Sequence, residues 1–217
     1  MTEAEWQAAT DPKAMLRFLE GKVSDRKLRL FGVLCCQDFI ALLDPRSLKA
    51  LNAAGRFADG RLGSSGLSRA LTHATQALQE SEGGLRQGEL VIKWLCHKNM
   101  SQCEGIARES AEYTAAQQPR HMRNATRRVA RSRRASAIRD IFGNPFRPVT
   151  ADPSWLTSTV LALAEGIYVD RAFDRMPILA DALQDAGCEN EDILNHSRQP
   201  GEHVRGCWAV DLLLGKV

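Results

Sequence analysis

Helix-start patterns recur along this 217-residue chain and restrict what it can fold into. Thr2-x-x-Glu5 matches a capping box, and Asp11-Pro12 and Asp44-Pro45 each combine an N-cap acid with a proline at the first helical position. Aromatic residues make up only 6% of the chain, and β-branched residues are sparse over the first 140 positions, which disfavours sheets. We therefore predict an all-α protein, a multi-helix bundle with a compact C-terminal helical subdomain after a Pro-rich loop.

Apolar spacing and the Gly and Pro positions predict where the individual helices lie. In the first part of the chain we predict one core helix from Ser24 to Leu42, a loop over 60–66, a break at Gly83-Gly84, a long helical region over 89–118 and another helix over 120–142. The segment 143–153 contains three prolines and is predicted to be irregular. Further helices are predicted at 157–170, 177–186, 190–197 and 201–214, and the domains at 1–142 and 143–217.

Composition bounds the class of protein. Hydrophobic residues at 44% and charged residues at 25% are ordinary for a soluble globular protein. The N-terminal residues do not resemble a signal peptide, and no stretch approaches the roughly 18 apolar residues that a membrane span needs. Six cysteines without an export signal indicate reduced thiols. We therefore expect a cytoplasmic protein that does not act at a membrane.

The most basic part of the chain lies between Tyr113 and Arg139, where there are eight arginines, no lysine and no acid. Arginines spaced by three or four residues form a continuous stripe on a helix and offer forked donors to phosphates. The predicted nucleic-acid-binding residues are Arg120, Arg123, Arg127, Arg128, Arg131 and Arg134. The alternative is a solvated helix face whose arginines pair with acids of the preceding helix, namely Glu104, Glu109 and Glu112.

A second group of residues with metal-ligand chemistry lies near the C-terminus. Zinc takes four nitrogen or sulfur ligands in a tetrahedron, and the predicted metal ligands are Cys188, His196, His203 and Cys207. His203 and Cys207 are four residues apart and would share one face of the predicted helix 201–214, which contains Gly206. Because the C-x-x-C pair of zinc knuckles is missing, the alternative is that both cysteines are small buried hydrophobes. A Cys-His nucleophile formed by His203, Cys207 and Asp211 is a further alternative.

Two long motifs carry a resemblance to a known family. They are Arg-Asp-Ile-Phe-Gly-Asn-Pro-Phe-Arg-Pro-Val at 139–149 and His-Val-Arg-Gly-Cys-Trp at 203–208. Together with the first residues of the chain they resemble a multi-copy family of uncharacterised proteins from planctomycete bacteria. The resemblance implies a shared architecture around a variable, Ala-rich helical middle, and no activity. Ser197 stands where such proteins tend to have cysteine.

No P-loop, G-x-G-x-x-G, G-x-S-x-G or H-E-x-x-H motif is present to indicate a common enzyme class. We therefore predict a non-enzymatic interaction or adaptor protein with a protein partner and without a cofactor other than zinc. One alternative is a helical nucleic-acid-binding protein that uses the Arg120–Arg139 stripe. The other alternative is a metal- or thiol-dependent enzyme centred on His203 and Cys207.

Overall fold

The computed structural model describes residues 1–82 and 85–216, and within this part of the chain it contains helices and no strand. The all-α prediction is confirmed. Short 3-10 segments join several of the helices. The α-helices are α1 Glu3–Ala8, α2 Pro12–Leu19, α3 Asp25–Cys35, α4 Pro45–Ala58, α5 Ser64–Glu80, α6 Leu85–Leu95, α7 Cys103–Ala116, α8 Arg123–Phe142, α9 Ser158–Asp170, α10 Met176–Asp185, α11 Glu191–Arg198 and α12 Trp208–Leu213.

The chain divides into two compact units, Met1–Ser136 and Ala137–Val217. The division falls inside α8, whereas the sequence-based boundary was placed at 142/143, after the end of that helix. The last turn of α8, which contains Asp140, therefore belongs to the second unit. Among residues 1–82 and 85–216, none of the helices combines the length and the apolar character required to cross a membrane.

The helix starts predicted from side-chain caps are confirmed in the first unit. The Thr2 side chain accepts a hydrogen bond from the Glu5 amide, and the Glu5 carboxylate accepts one from the Thr2 amide. Asp11 accepts a hydrogen bond from the Lys13 amide, and Asp44 caps α4 in the same way. These side chains accept hydrogen bonds from amides that have no partner within the helix. Because each cap bonds to amides close to it in sequence, the local sequence predicts these helix starts correctly.

The predicted long helix over 89–118 is wrong, because α6 ends at Leu95 and α7 begins only at Cys103. Arg29 of α3 is buried in the core at this break. Its guanidinium donates hydrogen bonds to the backbone carbonyls of Leu95 and Lys98. A cation at a helix C-terminus satisfies carbonyls that lack helical partners. The break therefore depends on a residue 66 positions earlier in the chain, which local periodicity cannot detect.

Two smaller predictions also need correction. The core helix predicted from Ser24 to Leu42 ends at Cys35, and a 3-10 segment follows in which Phe39 departs from helical backbone angles. Leu42 is exposed, not buried. The loop predicted over 60–66 is partly helical, since α5 begins at Ser64. The break predicted at Gly83-Gly84 lies outside the described residues.

The second unit builds its own core from α9 to α12. Helix α9 contributes Val160, Ala164, Ile167 and Tyr168, which are buried on one face. The remaining buried members of this core are Met176, Leu179, Ala180, Leu183, Cys188, Ile193, Leu194, Cys207, Ala209, Val210 and Leu213.

The irregular segment predicted after α8 is confirmed, because no α-helix is assigned between Phe142 and Ser158.

Replacing Asp44 tests the capping account of the first unit. Asp44→Ala should lower the free energy of unfolding by about 1 kcal/mol at neutral pH, because the α4 amides lose their cap. Asp44→Asn is the matched control, since asparagine caps equally well without the charge. Hydrogen bonds from the Arg46 side chain and amide lower the pKa of Asp44.

The pH dependence follows from the sign of that shift. A carboxylate whose pKa is lower in the folded state stabilises the protein above the unfolded-state pKa, which is about 3.9 for aspartate. This contribution is lost as the pH falls below that value. Asp44→Asn keeps the cap but loses the ion pair with Arg46, so urea unfolding should show wild type as the more stable protein at neutral pH and the difference should vanish in acid. Equal stability of Asp44→Ala and wild type at neutral pH would contradict the account.

Candidate metal centre

Four side chains of metal-binding chemistry converge within the second unit. They are Asp140, His196, His203 and Cys207, and one potential ligand atom from each lies within 4.8 Å of all the others. The Asp140 Oδ1 atom is 2.6 Å from His203 Nδ1 and 3.2 Å from His196 Nε2. The Cys207 Sγ atom is 3.2 Å from His196 Nε2 and 4.0 Å from His203 Nδ1. The four groups therefore surround a single point.

Asp140 connects the end of α8 to the segment before α12. Its Oδ1 atom faces the two imidazoles, while its Oδ2 atom accepts a hydrogen bond of 2.8 Å from the backbone amide of Val204. The second contact fixes the orientation of the carboxylate. Oδ1 is left to face the cluster as a single ligand atom, and partners of this kind are what orient metal ligands in proteins.

His203 and Cys207 approach each other through a turn and not through a helix. The predicted helix over 201–214 is wrong, because α12 begins at Trp208 and the Cys207 amide donates to the Val204 carbonyl at 2.9 Å. Gly206 has a φ of +94°, a conformation that side chains rarely adopt. The Val204 amide is used by Asp140, so this backbone is held by a tertiary contact and does not form a helix.

His196 lies in the last turn of α11 and presents one nitrogen to the cluster. Its Nε2 atom faces Asp140 and Cys207, and its Nδ1 atom lies 3.1 Å from Gln199 Nε2. The imidazole ring also contacts the indole of Trp208, with ring centroids 5.0 Å apart. These contacts hold the ring in one orientation.

Gly143 forms part of the wall of this site. It ends α8 with a φ of +68°, and a Cβ atom at this position would lie 3.1 Å from the Trp208 ring. Any other residue would therefore be disfavoured here by both backbone conformation and space. The two long motifs of the sequence meet at this contact, since one contains Asp140 and Gly143 and the other contains Cys207 and Trp208.

The cluster is almost closed to solvent. The side chains of Asp140 and His203 are 6% and 5% exposed, and that of His196 is 10% exposed, while Cys207 is fully buried. Burial raises the pKa of the Cys207 thiol well above its usual range, and the neighbouring Asp140 charge raises it further. Burial also opposes ionisation of Asp140, but hydrogen bonds to His196 and His203 outweigh it, so the pKa of Asp140 is lowered. Without a metal, Cys207 is a thiol and Asp140 a carboxylate.

The arrangement is convergent and differs from a catalytic relay. In a Cys-His-Asp relay, the imidazole uses one nitrogen for the nucleophile and the other for the acid. Here His196 directs the same Nε2 atom at both Cys207 and Asp140. A reactive cysteine also needs an exposed thiol with a lowered pKa, whereas the Cys207 thiol is buried with a raised pKa.

Three of the four residues predicted as metal ligands are brought together, and Cys188 is not among them. Cys188 lies in the apolar core just after α10, where its amide donates to the Leu183 carbonyl. Gly187, with a φ of +84°, turns the chain at this point. In the part of the chain that the structure describes, Cys188 belongs to no metal-type cluster.

Asp140 takes the fourth place, which was predicted for Cys188 on the basis that zinc ligands are Cys or His. A detectable signal was present. A carboxylate in the last turn of a helix opposes the helix dipole, which disfavours it unless a cation or hydrogen-bond donors compensate. An acid at this position of an otherwise arginine-rich helix therefore indicates a specific partner.

The predicted arginine stripe lies on α8 and the 3-10 turn before it, and several of its members contact acids of the first unit. Arg127 pairs with Glu112 at 2.7 Å, as the alternative interpretation expected. Arg131 contacts Asp11 and Glu112 at 3.4 Å and 3.7 Å. Glu104 pairs instead with Arg17, and Glu109 with the neighbouring Arg108.

The other stripe residues differ strongly in exposure. Arg134 is buried, with contacts to Asp38 and to the Cys35 carbonyl. Arg123 donates to the carbonyls of Gln118 and Ala116, at the end of α7. Arg120 and Arg128 are exposed. The part of the stripe that faces solvent is therefore smaller than the sequence predicted.

Comparisons with protein-family models, with curated proteins and with solved structures give no match to this chain. The class of protein is therefore described by its fold and its cluster of side chains. It is an all-α protein whose second unit contains a buried His₂-Cys-Asp cluster.

Substitution of Gly206 tests the turn that places Cys207. Gly206→Ala should lower the free energy of unfolding by about 1–3 kcal/mol, because alanine is strained at positive φ. Gly166→Ala is the matched control, since Gly166 lies inside α9 and a Cβ there meets nothing within 4 Å. This control should stabilise the protein by roughly 0.5–1 kcal/mol. Denaturant unfolding of the metal-free variants measures both, and equal effects would show that the turn is not strained.

Proposed function

We propose that the second unit binds one Zn²⁺ through Asp140, His196, His203 and Cys207, and that this ion has a structural role. The observation that supports it is the convergence of four ligand-type atoms on one buried point. Buried polar groups converge in this way to satisfy one another or to hold an ion. A cluster of two imidazoles, a carboxylate and a thiol is well suited to the second role.

The chemistry of the four groups favours zinc over other common ions. Zinc accepts imidazole nitrogen, thiolate sulfur and carboxylate oxygen, whereas Mg²⁺ and Ca²⁺ take oxygen ligands almost exclusively. With bond lengths of about 2.0–2.3 Å, a tetrahedral zinc ion separates its ligand atoms by roughly 3.3–3.8 Å. Four of the six separations between the ligand atoms are 2.6, 3.2, 3.2 and 4.0 Å, and all six lie within 4.8 Å, so they span that range. Small side-chain shifts would complete the tetrahedron.

Charge balance supports the same ion. Zn²⁺ would displace the thiol proton of Cys207, and the resulting thiolate and the Asp140 carboxylate together carry two negative charges. The loaded cluster would therefore be neutral, which suits a buried site, because an uncompensated buried charge is costly. All six cysteines are free, and we propose that the protein works in a reducing compartment such as the cytoplasm, where the thiol stays available.

Closure of the cluster supports a structural and not a catalytic ion. Catalytic zinc keeps one position open for water or substrate, whereas structural zinc uses four protein ligands. Here four protein groups are present and all are at least nine-tenths buried. The ion would join the end of α8, the end of α11 and the turn before α12, and so fix the second unit as a scaffold.

For the whole chain we propose a protein-interaction role, with a face of α9 as the binding surface. Leu161 and Val169 lie eight residues apart on one side of this helix and are 37% and 47% exposed. A groove on α9 is lined by residues that include Ala162, Gly166 and Arg175. Exposed apolar side chains along one helix face are typical of surfaces that bind another protein.

The two remaining alternatives receive less support. The ion pairs of Arg127 and Arg131 and the burial of Arg134 give these arginines roles within the first unit. A nucleic-acid role would rest mainly on exposed Arg120 and Arg128. A thiol enzyme would require an accessible Cys207, which is fully buried.

Metal loading of purified protein tests the zinc proposal. Wild type should bind one Zn²⁺ per chain and gain about 2.7 kcal/mol of unfolding free energy at a free zinc concentration 100 times the Kd. Cobalt-loaded wild type should show a thiolate-to-cobalt absorption band. Cys207→Ala should lose this band and most of the stabilisation, because it removes a ligand.

Cys188→Ala is the control, since Cys188 is a buried cysteine of the same unit outside the cluster. It should keep the cobalt band even if the smaller side chain lowers stability. A wild-type protein that binds neither zinc nor cobalt, with a stability unchanged by a strong chelator, would overturn the proposal.

Photocrosslinking tests the α9 surface. A photoreactive residue at exposed Glu165, between Leu161 and Val169, should form crosslinked adducts with the bound protein partner. These adducts should disappear when Leu161 and Val169 are both changed to serine. The same group at Asp185, exposed at the end of α10, is the control and should give none of these adducts. An adduct of twice the chain mass would identify a second copy as the partner. Identical adducts from both positions, insensitive to the serine changes, would contradict the proposed surface.

A further inference from the structure

We infer that Gln199 is a positioning residue for His196, and that its side-chain amide reverses orientation when the cluster takes up metal. This inference rests on the proposed zinc site. Gln199 is neither a metal ligand nor a core residue, and its side chain is exposed at the end of α11. Its only role in the cluster would be through the imidazole.

The geometry places Gln199 directly behind the ligand. The backbone amide of Gln199 donates to the backbone carbonyl of Asn195 at 2.9 Å, which fixes the Gln199 backbone at the end of the helix. It is the C-cap residue of α11, three residues after His196. Its side-chain Nε2 atom is 3.1 Å from His196 Nδ1, on the opposite side of the ring from the cluster.

The contact has a direction, and this direction determines the tautomer of His196. An amide nitrogen can only donate, so in this arrangement Nδ1 accepts and carries no proton. The proton of a neutral imidazole is then on Nε2, which donates toward Asp140 or Cys207 at 3.2 Å. This is the hydrogen-bonded state of the cluster without a metal.

Metal binding requires the other tautomer. A metal on Nε2 needs the lone pair of that atom, so the ring proton must move to Nδ1, where it needs an acceptor. Gln199 supplies one by turning its side-chain amide through about 180°, so that its oxygen replaces its nitrogen. Glutamine serves both states because it carries a donor and an acceptor at nearly the same place. A glutamate would serve only the metal-bound tautomer, and a methionine neither.

The test combines zinc affinity with the tautomer of His196. Wild type, Gln199→Met, Gln199→Glu and the control Asn195→Met are titrated with zinc against a chromophoric chelator. Asn195 is an exposed amide on the same helix, directly before His196. Gln199→Met should bind zinc about tenfold more weakly than wild type, the lower end of the usual range for partners of metal ligands. Gln199→Glu should recover the affinity, and Asn195→Met should match wild type.

Nitrogen-15 spectra of the His196 ring supply a readout that a merely structural role would not move. The ring proton should be on Nε2 in metal-free wild type, on Nδ1 after zinc addition, and already on Nδ1 in metal-free Gln199→Glu. Equal zinc affinity of wild type and Gln199→Met, or a wild-type tautomer that does not change with zinc, would overturn this inference alone. Failure of wild type to bind zinc at all would overturn the zinc proposal and this inference with it.

Discussion

The arrangement of the second unit depends on the two oxygens of Asp140 serving different parts of the chain. One oxygen holds the Val204 amide, and the other faces His196 and His203. Burying a carboxylate is costly unless it is paired and hydrogen-bonded. Here the compensation comes from the segment between α11 and α12, which has little regular structure of its own. Asp140 therefore determines where that segment lies, and with it the position of Cys207.

Because the position of this segment depends on Asp140, an ion bound to the four side chains would stabilise the second unit. The second unit has its own apolar core, but residues 199–207 contribute little to it apart from Cys207. Turns without core contacts are the least stable part of a small unit. An ion bound to Asp140, His196, His203 and Cys207 would connect this turn to two helices at once. A scaffold held in this way would suit the proposed binding role of α9, because a binding face needs rigid support behind it.

The sequence predicted well those features that local chemistry determines. Side-chain caps at Thr2, Asp11 and Asp44 place helix starts, because each cap bonds to amides within three residues of itself. The all-α class follows from composition in the same way. Three of the four cluster residues were also found, because cysteine and histidine are uncommon and were grouped near the C-terminus.

Features that depend on distant residues were missed. The end of α6 relies on Arg29, which lies far from it in sequence. The residue spacing around Gly206 predicted a helix, because nothing in the local sequence shows that the Val204 amide donates its hydrogen bond to Asp140. Asp140 was predicted only as part of the 139–149 motif and not as a ligand. In each case a tertiary hydrogen bond overrides a local preference, and one sequence alone does not reveal its partner.

X-ray absorption at the zinc edge of the loaded protein tests the central claim most directly, because it reports the ligands of the ion itself. The account predicts one sulfur at about 2.3 Å and three nitrogen or oxygen atoms at about 2.0–2.2 Å, with the outer-shell pattern of two imidazoles. A shell of six oxygen or nitrogen atoms without sulfur would contradict it. That result would place the ion elsewhere on the protein and leave Asp140, His196, His203 and Cys207 as a hydrogen-bonded cluster only.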